Sequence, residues 1–265
     1  MERSYNITLK IIDILCFILY KIKMKLIIVK DYEEMSLKAS EIIVDLLKEK
    51  KNATLGLATG SSPIGIYKNL IKKYQEGEIS FKDVTTYNLD EYCELPKSHP
   101  ESYYSFMHRN LFSHVDIKEE NVHIPCSEGD DLQALCKAYN DELNAASVDL
   151  QLLGIGANGH IGFNEPNTSF DQETFVVKLT EKTRVDNQRF FNSLDEVPKY
   201  AMTMGIKNIM NAKSLLLVAS GANKAEAIKR LASGEITEEL PASVLNKHAN
   251  AIVIVDEAAA SLIKK

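Results

Sequence analysis

Cysteine is sparse and scattered. The four in 265 residues, Cys16, Cys93, Cys126 and Cys136, form no C-x-x-C pair. Their spacing therefore points neither to a clustered thiolate metal site nor to a disulfide framework. They read as small buried or half-buried thiols in a reducing, cytoplasmic compartment. Excess positive charge is lacking too: 31 basic against 37 acidic residues leave a net charge of −6. That balance gives no support to a nucleic-acid groove, but an anionic substrate needs only a few well-placed cations. No apolar run is long enough to cross a bilayer. The most apolar stretch, Ile11-Ile12-Asp13-Ile14-Leu15-Cys16-Phe17-Ile18-Leu19-Tyr20, is too short and contains Asp13, and no small-x-small cleavage site follows it. Residues 1–23 are accordingly read as an extension outside the fold. Met24-Lys25-Leu26-Ile27-Ile28-Val29 then makes a clean start to one domain over residues 24–265. No internal repeat, low-complexity tract or Pro/Gly/Ser linker divides that span.

What is present is an ordinary globular composition, 45% hydrophobic and 26% charged, in a chain long enough to bury a core without metal or disulfide staples. Short apolar runs alternate with segments of helical period. Strands are expected at Leu26–Val29, Thr54–Ala58, Val84–Leu89, Leu150–Ile155, Phe175–Leu179, Ser214–Ala219 and Ala251–Val255. Most are rich in Val, Ile or Leu, as strands covered on both faces should be. Met35, Ala39, Ile42, Ile43, Leu46 and Leu47 mark one helical stripe, and Leu132, Leu135, Cys136, Tyr139 and Leu143 a second. A third helix should start near Ile64 and stop near Gly77. The pattern predicts an α/β fold, a single Rossmann-like domain whose mainly parallel sheet is flanked by helices on both faces. Ligands of such sheets bind where strands end and loops lead into helices.

The unusual residues sit at those points. Leu57-Ala58-Thr59-Gly60-Ser61-Ser62-Pro63 follows a strand and precedes a helix. Its hydroxyls and N–H groups could ring an anion at a helix N-terminus, or Ser62 could simply cap the helix with Pro63 in its first turn. The loop is not a P-loop, since G-x-x-x-x-G-K-[ST] is absent. Tyr87-Asn88-Leu89-Asp90-Glu91-Tyr92 ends an apolar strand in two acids. Partial desolvation there would raise the basicity of a carboxylate, although a solvated loop acid or a helix cap reads equally well from this stretch alone. Leu153-Gly154-Ile155-Gly156-Ala157-Asn158-Gly159-His160-Ile161-Gly162-Phe163-Asn164-Glu165-Pro166 crowds an amide, an imidazole and a carboxylate into one glycine-rich loop. That set suits proton transfer near neutral pH. Gly154-x-Gly156-x-x-Gly159 formally matches the dinucleotide fingerprint, yet it comes late in the chain and opens no amphipathic helix. Two cations complete the set: Arg189, and Lys224 just after another strand. Either could hold a phosphate, Arg by its bidentate fork and Lys as a point charge. No spacing of ligands for a metal or cofactor is seen.

Together these segments resemble the glucosamine-6-phosphate deaminase family over essentially all of residues 24–265. Thr59-Gly60-Ser61-Ser62-Pro63, Asn88-Leu89-Asp90-Glu91-Tyr92, His99-Pro100-Glu101-Ser102-Tyr103-Tyr104, Gly159-His160-Ile161-Gly162-Phe163-Asn164-Glu165-Pro166, Arg189-Phe190-Phe191 and Val197-Pro198-Lys199-Tyr200-Ala201 carry the resemblance in order. It implies an isomerising deaminase, hydrolytic at a C–N bond, that converts glucosamine 6-phosphate and water to fructose 6-phosphate and ammonia in amino-sugar (N-acetylglucosamine) catabolism. It implies that Asp90 moves a proton between C2 and C1, and that His160, oriented by Glu165 and assisted by Asn158, opens the ring. Thr59, Gly60, Ser61, Ser62, Arg189 and Lys224 are implied to hold the phosphate. Asn158 stands where some members carry Asp; an amide can orient an imidazole but brings no negative charge. Allosteric members hold an effector with a Ser and a basic pair, and the matching positions here are Thr168, Phe175 and Val177. An enzyme without that activation, a monomer or small homo-oligomer, is expected, with no cofactor, nucleic acid or membrane partner. Two alternatives share the fold. A 6-phosphogluconolactonase would continue its loop toward Ser-Leu-Phe-Pro, and a non-catalytic sugar-phosphate sensor would normally bring a helix-turn-helix segment.

Overall fold

The computed structural model describes residues 24–125, 129–188 and 191–263. The extension, Cys16, Cys126 and Arg189 lie outside the described residues. Ten strands are present among them: β1 (Lys25–Val29), β2 (Thr54–Leu57), β3 (Thr85–Asn88), β4 (Asp90–Tyr92), β5 (Val122–His123), β6 (Leu150–Leu153), β7 (Phe175–Lys178), β8 (Tyr200–Thr203), β9 (Leu215–Ala219) and β10 (Ala251–Asp256). The helices are α1 (Tyr32–Glu49), α2 (Ile64–Gln75), α3 (Tyr103–Asn110), α4 (Leu132–Ala145), α5 (Glu181–Asn187), α6 (Ile206–Met210) and α7 (Ala225–Ala232). Seven strands form a sheet in the order β1-β10-β9-β6-β2-β3-β5. Every pairing in it is parallel.

The sheet separates two cores, and β9 shows why its sequence is continuously apolar. All five of its residues are buried. Leu216 and Val218 face one core with Met35, Ile43, Tyr67 and Leu70 of α1 and α2. Leu215, Leu217 and Ala219 face the other, with Tyr139 of α4, Ile209 of α6 and Ile228 of α7. Alternation along a strand thus supplies both layers.

Helix α1 forms on the expected stripe. Met35, Ala39, Ile43 and Leu47 are buried at i, i+4 spacing, and the Asp31 side chain accepts from the Glu34 N–H at 3.0 Å as N-cap. Glu33 and Glu34 in the first turn and Lys48 in the last complement the helix dipole. Helix α2 starts at Ile64 and ends just before Gly77, as expected. Its N-cap position falls on Pro63 rather than Ser62, with no side-chain cap.

One strand belongs elsewhere. The run at Phe175–Leu179 becomes β7 of a separate antiparallel sheet, β4-β8-β7. Phe175, Val176 and Val177 are only half-buried and Lys178 is exposed, whereas β6 is buried throughout. Among the described residues, no helix is long and apolar enough to cross a membrane.

Candidate active site

The chain winds outward from the middle of the sheet in two directions, β2-β3-β5 one way and β6-β9-β10 the other. A crevice therefore opens at the carboxyl ends of β2 and β6, where the order reverses. The loops after β2, β3, β6 and β9, four neighbouring strands, line one cavity of about 430 Å³ there.

Asp90 reaches this cavity through a change of sheet. The Leu89 N–H donates to the Leu57 carbonyl of the large sheet at 3.0 Å, and the Leu89 carbonyl accepts from the Met204 N–H, beyond β8, at 2.7 Å. The chain crosses from one sheet to the other at that residue. Asp90, the first residue of β4, is delivered at the seam opposite Thr203. It is only 6% exposed yet lines the cavity. Burial, reinforced by the neighbouring Glu91 charge, pushes its carboxyl up to about 8. Glu91 points the other way along the strand and accepts from the N–H groups of Tyr92, Tyr103 and Tyr104 at 2.8, 2.9 and 2.9 Å. Burial raises the Glu91 carboxyl even so, against those three donors. Glu91 thereby ties β4 to the start of α3, whose Tyr103 lines the same cavity.

The loop after β6 folds tightly instead of opening a helix. The Gly156 N–H donates to the His160 carbonyl at 2.9 Å and the Gly159 N–H to the Gly156 carbonyl at 3.0 Å. The imidazole lies directly over Gly156, where a Cβ would meet its Cε1 at 2.3 Å. His160 Nδ1 stands 3.5 Å from Glu165 Oε1. The other Glu165 oxygen accepts from Asn158 Nδ2 at 2.7 Å, and Thr183 Oγ1 donates to Oε1 at 3.3 Å. Half-burial alone would raise the Glu165 carboxyl, but the contacts of His160, Asn158 and Thr183 outweigh it and hold it below the ordinary range. A carboxylate kept ionised behind an imidazole can stabilise the imidazolium that forms when the ring accepts a proton.

Thr59, Gly60, Ser61, Ser62 and Lys224 line the same cavity. Gly60 has a φ of 86°, a conformation glycine adopts without steric cost. The N–H groups of Gly60, Ser61 and Ser62 find no acceptor among the described residues. They stand just ahead of α2, whose N-terminus favours negative charge.

This architecture has relatives. The family of glucosamine-6-phosphate isomerases and 6-phosphogluconolactonases matches residues 32–254. The chain belongs to this family. A glucosamine-6-phosphate deaminase of Thermoanaerobacter pseudethanolicus is 55% identical over 241 residues, 91% of this chain and 95% of the relative. A second, glucosamine-6-phosphate deaminase 2 of Bacillus subtilis, is 50% identical over 244 residues, 91% of this chain and 98% of the relative. The solved structure of a monomeric glucosamine-6-phosphate deaminase superposes with a TM-score of 0.88 at 48% identity, covering 90% of this chain and all (100%) of that one. A 6-phosphogluconolactonase of Trypanosoma brucei superposes with a TM-score of 0.74 at 17% identity, over 92% of this chain and 100% of its own. At that distance the likeness is one of fold alone.

Within the family fold, Asp90, His160, Lys224 and the Thr59–Ser62 loop, chosen on the sequence, converge on one cavity. Glu165 and Asn158 stand behind His160 rather than on the cavity wall. The hydrogen bonds of the Asn158 side chain go elsewhere than the imidazole: its amide donates to Glu165 and its side-chain carbonyl accepts from the His160 backbone N–H at 3.3 Å. Arg189, expected beside the phosphate, lies outside the described residues. Tyr103 and Thr183 also line the cavity. Tyr103 lies in the His99–Tyr104 stretch but carries no charge that would mark it in the sequence, and Thr183 is brought in only by the fold of α5.

The contact at Gly156 gives a sharp expectation. Gly156→Ala must displace the imidazole, because a methyl 2.3 Å from Cε1 is impossible. Turnover should fall by at least about tenfold, the scale of small misplacements in a catalytic geometry, with little change in melting temperature. Full activity in that variant would show that the ring position observed is not the working one.

Proposed function

We propose that this chain is a glucosamine-6-phosphate deaminase, an isomerising enzyme that completes its reaction by hydrolysing a C–N bond. The observation that carries this reading is the placement of Asp90 and His160 on one cavity that the Thr59–Ser62 loop and Lys224 also line. The phosphate of the sugar would sit on the N–H groups and hydroxyls of Thr59–Ser62, with Lys224 and, as the family resemblance implies, Arg189 as counter-charges. Binding energy from that remote group fixes the carbon skeleton. His160 would take the proton of the anomeric hydroxyl and return it to the ring oxygen, breaking the C1–O5 bond and opening the sugar. Asp90 would then remove the C2 proton and deliver it to C1. With a net proton passing from the amine nitrogen to the C1 oxygen, the aldehyde becomes a hydroxymethyl group and the amine an imine; water then adds at C2 and ammonia leaves, giving fructose 6-phosphate. Glu165, with Asn158 and Thr183 behind it, would hold the imidazole ready for both transfers.

High identity to deaminases, against fold-only likeness to lactonases, supports the choice between the two chemistries. At the positions matched to the effector site, the Thr168 hydroxyl donates to the Glu165 carbonyl at 2.7 Å, while Phe175 and Val177 lie on β7. None supplies a cation, which favours an enzyme without effector activation, a monomer or small homo-oligomer. A charged sugar phosphate does not cross bilayers unaided, so the cytoplasm is its natural compartment, in amino-sugar breakdown.

The deciding experiment supplies glucosamine 6-phosphate and, separately, 6-phosphogluconolactone to the purified chain. Equimolar ammonia and fructose 6-phosphate are expected from the first, and only spontaneous hydrolysis of the second. Lactone turnover without ammonia release would overturn the reading.

A further inference from the structure

Two side chains outside the cavity hold two of the loops that line it. The Tyr32 hydroxyl, at the start of α1, donates to the Ser61 carbonyl at 2.9 Å and accepts from the Gly65 N–H at 2.9 Å. It therefore bridges the Thr59–Ser62 loop to the first turn of α2 at a point where Pro63 provides no side-chain cap. On the other side, Asp256 at the end of β10 is 5% exposed. Its carboxylate accepts from Ser220 Oγ at 2.5 Å, from the Gly221 N–H at 3.1 Å and from the Ala259 N–H at 2.7 Å. The first two contacts fix the turn after β9 from which Lys224 projects. Neither Tyr32 nor Asp256 lines the cavity.

We propose that Tyr32 and Asp256 are positioning residues for phosphate recognition: each sets the conformation of one of the two loops that grip the anion. The inference rests on the placement of the sugar phosphate proposed above. Its physical basis is that an anion is bound by several N–H groups only when they converge, and convergence is a property of the backbone. The Tyr32 hydroxyl satisfies the Gly65 N–H and the Ser61 carbonyl together, and the N–H groups of Gly60, Ser61 and Ser62 are left without an acceptor among the described residues. Asp256 does the same for the Ser220-Gly221 turn, giving Lys224 a fixed base. Because the braces act on separate loops, their effects should combine independently.

The test measures steady-state kinetics of Tyr32→Phe, Asp256→Asn and the double variant, with inorganic phosphate as a competing anion. Removing the Tyr32 hydroxyl deletes two hydrogen bonds without touching the cavity, so KM and the phosphate inhibition constant should both rise about five- to tenfold. Turnover at saturation should stay within about twofold of wild type, since the reacting groups are untouched. Asp256→Asn should act in the same direction, and the double variant should show the product of the two factors. Unchanged KM and phosphate inhibition in Tyr32→Phe, with only a lower melting temperature, would reduce Tyr32 to a structural contact and overturn the inference. Failure of phosphate to compete even against the wild-type enzyme is a different result: it would remove the phosphate placement itself and the inference with it.

Discussion

Asp90→Asn should reduce turnover of glucosamine 6-phosphate by on the order of 10³- to 10⁴-fold, the scale of losing a positioned general base, while binding of substrate and product persists. The amide is isosteric and can fill the same place opposite Thr203, but it cannot accept the C2 proton. The same substitution should stabilise the fold at alkaline pH. The Asp90 carboxyl is raised from an ordinary 3.8 to about 8, so the folded protein retains a proton that the unfolded chain has released between those values. Its contribution to stability is therefore fully present below about pH 4 and is lost as pH rises through about 8. Asparagine has no such dependence. Melts of the two proteins should nearly coincide below about pH 4, diverge in favour of Asp90→Asn as pH rises from about 4 to about 8, and keep a constant separation above that. In wild-type enzyme, kcat/KM should climb with pH through the same region, because only the ionised carboxylate is a base. Substantial residual turnover in Asp90→Asn would contradict the base assignment. A melting difference independent of pH would show that Asp90 ionises in the fold without cost.

The route by which Asp90 gains that property marks the boundary of what a sequence discloses. The apolar strands of the large sheet are visible because both faces are covered: in β9, Leu and Val serve two cores at once, leaving an unbroken hydrophobic run. Helix α1 is visible because one stripe alone is covered. The antiparallel sheet is harder to see. Strand β4 is the three residues Asp90-Glu91-Tyr92, too short and too polar to show a period, and it pairs with β8, more than a hundred residues downstream. Asp90 reads locally as the end of a strand facing a loop, whereas the jump of the chain between sheets at Leu89 buries it. The glycine-rich loop was legible for a related reason: Asn158, His160 and Glu165 are close in sequence, so little folding is needed to bring them together. What that proximity did not disclose is the order of contacts, with Glu165 in the middle and Asn158 behind it. Thr183 completes the group from α5, and Tyr32 and Asp256 act on the loops from the opposite ends of the chain. Such partners are set by tertiary packing and leave no local pattern.

The order of contacts around Glu165 makes the second large effect a matter of coupling. His160→Asn should lower turnover by about 10²- to 10⁴-fold, since ring opening would be left to its spontaneous rate. Glu165→Gln alone should cost less, about tenfold, because the imidazole remains and only its ionised partner 3.5 Å away is lost. The informative protein is the double variant. Glu165 lies outside the cavity lining and meets His160, Asn158 and Thr183; if it acts on the chemistry only through the imidazole, removing it after His160 is gone should cost nothing further. The two penalties would then be strongly non-additive, as for groups that function as one unit. Fully multiplicative losses would mean that Glu165 serves the substrate by another route, through Thr183 on the cavity wall, and that His160 works without a carboxylate partner.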